Sequence, residues 1–123
     1  MREDLEKPNP FRILSCKQTI YDMRMWNIDP KKLCRNHLMG EHVEMHKLVG
    51  NLTKGRSIQG YIDLGLVEVH NIRKRHDELA IEMKRRGYNH KSPLPGFKVY
   101  KAGKVDPVRN RIDLKNRCKN CKL

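Results

Sequence analysis

One stretch of this chain concentrates side chains able to do chemistry: His37-Leu-Met-Gly-Glu41-His42-Val-Glu44-Met-His46-Lys47. Wound at about 100° per residue, it places Cys34, Leu38, Met45, Leu48 and Leu52 on one apolar face. Glu41 falls near the middle of that face. Glu44 lies at its edge, beside His37 and Glu41. A carboxylate on a half-buried face needs a partner, because burying an unpaired charge is costly. Two readings follow. Either a carboxylate is bonded to an arginine or a backbone donor and is purely structural, or it is held for acid–base or electrostatic work. Spacing alone leaves both open.

Metal chemistry competes for the same helix. His42 and His46 stand at i and i+4 and can reach one ion, but the pattern is His-x-Glu-x-His and not the zincin His-Glu-x-x-His. Two surface histidines are the commoner case. Cys34-x-x-His37 together with Cys118-x-x-Cys121 makes a Cys₃His zinc set if the tail folds back onto the helix. A terminal Cys-x-x-Cys alone is a weak signal, so the expectation is no metal and no cofactor. The chain contains neither a Gly-rich phosphate loop nor a Gly-x-Ser-x-Gly elbow.

The charge balance points to the partner. Over 123 residues the net charge is +13 and the pI about 9.9. Such an excess favours a polyanion. Residues 1–22 carry four basic and four acidic side chains and sum to zero, so the whole excess lies in residues 23–123. The aromatic residues are scattered and form no stacking platform for single strands, which favours a duplex backbone. No apolar run is long enough to span a bilayer, and the acidic N-terminus does not read as a secretory signal. A cytoplasmic monomer with reduced thiols and no membrane association is expected.

These residues must be held by helices. Asp29-Pro30 is a helix start by N-cap and N1 preference, predicting a first helix from Pro30 to about Leu52. A polar loop from Thr53 to about Gly60 follows. A second helix is predicted from near Asp63 to Gly87, burying Ile72, His76, Leu79 and Met83. Lys84, Arg85 and Arg86 fill its last turn, and Arg73, Lys74 and Arg75 are expected to face solvent or a phosphate backbone. Residues 91–105 read as loop, pinned by Phe97, Val99 and Tyr100. Asp106-Pro107 starts a short basic helix to about Arg117. The sum is an all-α, small single domain of about three helices with a loop-rich C-terminal segment. Its parts are a mobile or untranslated extension (1–22), a helical core (23–94) and a basic tail with a short helix (95–123).

Three blocks carry a resemblance: Met23-Arg-Met-Trp, then His-Leu-Met-Gly-Glu-His-Val-Glu-Met, then Ile-Arg-Lys-Arg-His-Asp-Glu-Leu through Lys-Arg-Arg-Gly-Tyr-Asn. In this order they resemble the phage-type pyrimidine-dimer DNA glycosylases, also called endonuclease V, from about Met23 to about Leu94. The resemblance implies a helical DNA repair enzyme acting on damaged double-stranded DNA. It implies attack of an N-terminal α-amine on C1′, an imine as the base leaves, and β-elimination that nicks the strand. Carried over by position, Met23 supplies the amine, Glu44 is the catalytic carboxylate, and His37 and Glu41 support it. Arg24 and Lys47 stand at the rim, and Arg73, Lys74, Arg75, Lys84, Arg85 and Arg86 are further DNA-contact candidates. Val43 replaces an arginine of the family. Met23 is internal, so the implied chemistry requires that the functional chain start there. The rival readings are a non-catalytic DNA- or RNA-binding helical protein and a zinc-stabilised binding module.

Overall fold

A computed structural model of the chain describes residues 24–90 and 92–123. The expectations for residues 1–22 and Met23 lie outside the described residues. Four α-helices and two 3₁₀ turns make up the described fold, and no strand is present among these residues. The helices are α1 (Arg35–Thr53), α2 (Gln59–Asp63), α3 (Ile72–Arg85) and α4 (Pro107–Arg117). The all-α expectation holds.

The two Asp-Pro starts behave differently. At the second, the Asp106 side chain accepts from the backbone N–H groups of Val108 and Arg109, and α4 runs from Pro107 to Arg117. At the first, Asp29 accepts from Lys31 N–H, but only a 3₁₀ turn (Pro30–Lys32) follows. Leu33 then turns extended and buries, and the helix restarts at Arg35 after Cys34. The Arg86 guanidinium bonds the carbonyls of Pro30 and Leu33 at 3.1 and 2.7 Å, tying this turn to the end of α3. The second predicted helix is also corrected. Asp63 ends α2 instead of opening a long helix, because Gly65 adopts φ +73°, a left-handed turn that stops it. A 3₁₀ turn (Val69–Asn71) then leads into α3.

The core lies between α1 and α3 and is closed by three irregular segments. Leu38, Met45, Leu48 and Val49 from α1 meet Ile72, Leu79 and Met83 from α3. Met25 and Trp26 run through this core completely buried. Leu94, Val105 and Leu114 close it from the C-terminal side. Phe97 packs on the core as expected, but Val99 and Tyr100 are exposed. Their anchoring role passes to Leu94 and Val105. Val69 N–H donates to the Ala102 carbonyl at 2.9 Å, and Gly103 lies so close to Val67 that a Cβ there would fall inside the contact distance of the Val67 carbonyl oxygen.

Candidate active site

The site is built around an extended segment, residues 24–26, clamped by side chains from two helices, α1 and α4. Met25 N–H donates to the Leu66 carbonyl at 2.7 Å. From α1, Glu44 Oε1 accepts from the Arg24 backbone N–H at 3.1 Å, and Glu41 Oε2 accepts from the Trp26 N–H at 3.2 Å. From α4, Asn110 Nδ2 donates to the carbonyls of Met25 and Trp26 at 3.2 and 3.0 Å. The two glutamates lie nearly one turn apart on α1 and so grip alternate backbone amides of an extended strand. Asn27, which follows, is in the left-handed region at φ 54°, a conformation asparagine tolerates. Its side chain donates to Glu68 at 3.4 Å.

The two carboxylates differ in their partners. Glu41 is fully buried and held by Arg75 through two bonds, Nε to Oε2 at 2.6 Å and Nη2 to Oε1 at 2.9 Å. This is the bidentate geometry that guanidinium and carboxylate favour. Glu41 is therefore a structural anchor for residues 25–26. Arg75, expected to face solvent or phosphate, is 3% exposed and saturated by Glu41 and Glu78. The reason is that the buried Glu41 charge demands an opposite charge within reach. Burial, the largest single influence, pulls the guanidinium's pKa down, but the Glu41 and Glu78 charges and hydrogen bonds together raise it above its usual value.

Arg24 is also internal. Its side chain bonds Asn110 Oδ1 at 3.1 Å and Asp113 Oδ2 at 3.3 Å and lies 4.5 Å from the Trp26 ring. A guanidinium so engaged positions the segment and is not a cation on the rim. Lys47, Lys74, Lys84 and Arg85 are exposed. Arg73 is exposed too, with its guanidinium on the carbonyls of Leu94 and Pro95. Arg86 is committed to Glu82 and the turn before α1. Glu82, bonded by Arg85 and Arg86, has its pKa lowered to about 2, first by the Arg85 hydrogen bond and against the opposing effect of burial. The motif reading missed Asn110 and Asp113. Their signal was the Asp106-Pro107 start, which fixes which residues of α4 share a face.

Two clusters of metal-binding side chains share α1 with the two glutamates. Cys34, His37, Cys118 and Cys121 bring their ligand atoms within 4.8 Å of one another. His37, placed by position beside Glu44, turns its Nδ1 toward this group, 3.3 Å from Cys34 Sγ and 3.6 Å from Cys121 Sγ. Its ring stands edge-on to Trp26 at 5.9 Å. The second cluster joins His42 and His46 of α1 to His76 of α3 and His90 beyond it. His42 and His46 are thus partners in a half-buried four-histidine group and not a surface pair. His76 and His90 completed it unforeseen. Burial first, then the neighbouring His76, His46 and His90, lowers the His42 pKa to about 4. His46 and His90 are lowered as well, again chiefly by burial.

Residues 23–95 match the family model of the pyrimidine dimer DNA glycosylases. Neither a curated protein nor a solved structure matches the chain. The match spans more than half of the sequence, and the chain belongs to this family of DNA repair enzymes.

Proposed function

We propose, on the premise of that membership, that the chain excises pyrimidine dimers from duplex DNA and nicks the resulting abasic site through an imine formed by the α-amine of residue 23. The observation that carries this reading is the bond from the Arg24 backbone N–H to Glu44 Oε1. A carboxylate on the amide of residue 24 is one residue from the nitrogen of residue 23. That nitrogen is a nucleophile only when it is a free amine, so the reaction requires a chain that starts at Met23.

The chemistry follows from the groups. An α-amine has a pKa of about 7.7–8.0, so a useful fraction is neutral at pH 7. Its lone pair attacks C1′, the bond from C1′ to the base breaks, and the base leaves with the bonding electrons. The resulting ammonium loses one proton to Glu44 or water, the nitrogen lone pair breaks the C1′–O4′ bond, and O4′ takes up a proton as the sugar ring opens to the protonated imine. Glu44 offsets the positive charge that develops at the sugar. Removal of a C2′ proton then expels the 3′ phosphate and cuts the strand. Glu41 and Arg75 support this by fixing the Met25-Trp26 backbone, and His37 by packing against Trp26. Lys47, one turn beyond Glu44, and the exposed Arg73, Lys74, Lys84 and Arg85 supply phosphate contacts for a monomer acting in the cytoplasm. A dimer is weakly stacked and paired, which lowers the cost of extruding a nucleotide.

Borohydride trapping tests the proposal, because only an imine is reduced to a covalent protein–DNA adduct. The chain starting at Met23 is expected to trap on duplex DNA containing a cyclobutane dimer or an abasic site, and the 123-residue chain is not. Binding that weakens steeply with salt but gives no adduct from either chain would leave a non-catalytic DNA-binding protein.

A further inference from the structure

We infer that Cys34, His37, Cys118 and Cys121 form a structural zinc site that clasps the C-terminal tail to the start of α1. Three of the four cysteines and one histidine converge here. No disulfide joins these three cysteines among the described residues. Their spacing has the dimensions of a coordination shell. With Zn–S near 2.3 Å and Zn–N near 2.0–2.1 Å, a tetrahedron places sulfurs about 3.8 Å apart and sulfur and nitrogen about 3.5 Å apart. Cys34 Sγ and Cys118 Sγ are 3.8 Å apart, and His37 Nδ1 lies 3.3 and 3.6 Å from the sulfurs of Cys34 and Cys121. The Cys34 N–H donates to Cys121 Sγ at 3.2 Å, an outer-shell bond of the kind that supports a thiolate ligand.

The ligands come from two Cys-x-x-ligand pairs far apart in sequence. One opens α1. The other follows α4, whose last turn ends at Arg117. The Lys122 N–H donates to the Lys32 carbonyl at 2.7 Å, so the tail lies along the turn before α1. A zinc ion there closes a ring from α1 to α4 around residues 24–26. The Arg117 guanidinium sits 5.7 Å from the Trp26 ring, and the His37 ring stands edge-on to the same ring at 5.9 Å. The ion thus ties the tail to the start of α1, beside Trp26.

Cobalt spectroscopy of the full chain reads this site directly. Co(II) is expected to give thiolate-to-cobalt charge-transfer bands, which added zinc removes. Cys118→Ser with Cys121→Ser should abolish the charge-transfer bands. Absence of those bands from the unaltered chain, or their persistence in the double variant, overturns the assignment.

A separate observation carries a second site. The four rings of His42, His46, His76 and His90 meet mostly edge to face, with Nε2 of His42 2.8 Å from Nε2 of His90 and Nε2 of His46 3.2 Å from Nε2 of His76. The Nδ1 atom of His76 is 3.0 Å from Asp77 Oδ1, the carboxylate–histidine arrangement that fixes the tautomer and aims Nε2 at a metal. The geometry points to a four-imidazole site for a borderline divalent ion such as zinc, nickel or cobalt. Zinc-edge absorption and native mass of the zinc-loaded full chain test it without any variant. Two zinc ions per chain are expected, sharing three sulfurs and five nitrogens. One zinc with a three-sulfur, one-nitrogen shell would leave the histidine cluster metal-free and overturn this second assignment alone.

Discussion

Residues 23–95 carry the family match, and residues 96–123 lie beyond it, yet the site draws on both. The matched part supplies the carboxylates, Glu41 and Glu44, and the arginine that locks Glu41. The tail supplies Asn110 and Asp113, which hold Arg24, and the Cys118 and Cys121 thiols. The difference separates two tasks. On the proposed reading the catalytic carboxylate sits on the long helix, and the backbone it grips, residues 24–26, is also held by a segment outside the matched region. Changes in the first part should therefore alter the chemistry itself or the whole fold. Changes in the tail should loosen the geometry.

The largest effect is expected at Glu44. Glu44→Gln keeps an acceptor for the Arg24 N–H but loses the charge, and the trapping rate on abasic DNA should fall roughly 10²–10⁴-fold with little change in melting. A variant with full activity would remove Glu44 from the mechanism. Arg75→Ala should act on the fold instead. It strands the buried Glu41 charge, and breaking a buried pair costs about 3–5 kcal/mol, read from the denaturant midpoint. Stability unchanged to within error would mean that the Arg75 bonds to Glu41 do not hold α3 against α1. In the tail, Asn110→Ala removes donors to two buried carbonyls and should cost about 1–3 kcal/mol, with a smaller drop in trapping than Glu44→Gln. An equal or larger drop in trapping would erase the distinction between the two parts.

The smallest effect concerns acid. The folded-state pKa of Glu82 is depressed to about 2, below the unfolded value of about 4.5. Its contribution is therefore fully present above about pH 4.5 and is lost as pH falls toward about 2. Denaturant midpoints measured across that window should fall less steeply for Glu82→Gln than for the unaltered chain. Parallel curves would show that the Arg85 and Arg86 bonds do not stabilise the charged form.

Much of this arrangement is written locally. The Asp106 cap, the apolar face of α1 and the burial of His76 follow from helical spacing and capping chemistry, and each is observed. The central position of Glu41 on the apolar face announced a partner, and the partner is Arg75. Its identity was not legible, because a basic run such as Arg73-Lys-Arg75 reads as a solvated face until α3 is rotated against α1. The long second helix failed at Gly65, where one residue in a left-handed conformation outweighs a continuing polar pattern. The histidine cluster was invisible for another reason. His90 lies past the end of α3 in a segment with no period, and only the tertiary fold returns it to α1.

The most direct test is to locate the cross-link in the borohydride-trapped adduct by mass spectrometry of the digested complex, using the chain that begins at Met23 and duplex DNA with one abasic site. The account predicts that the reduced sugar is attached to the α-amine of residue 23. Attachment to a lysine side chain, or no adduct at all, would contradict it.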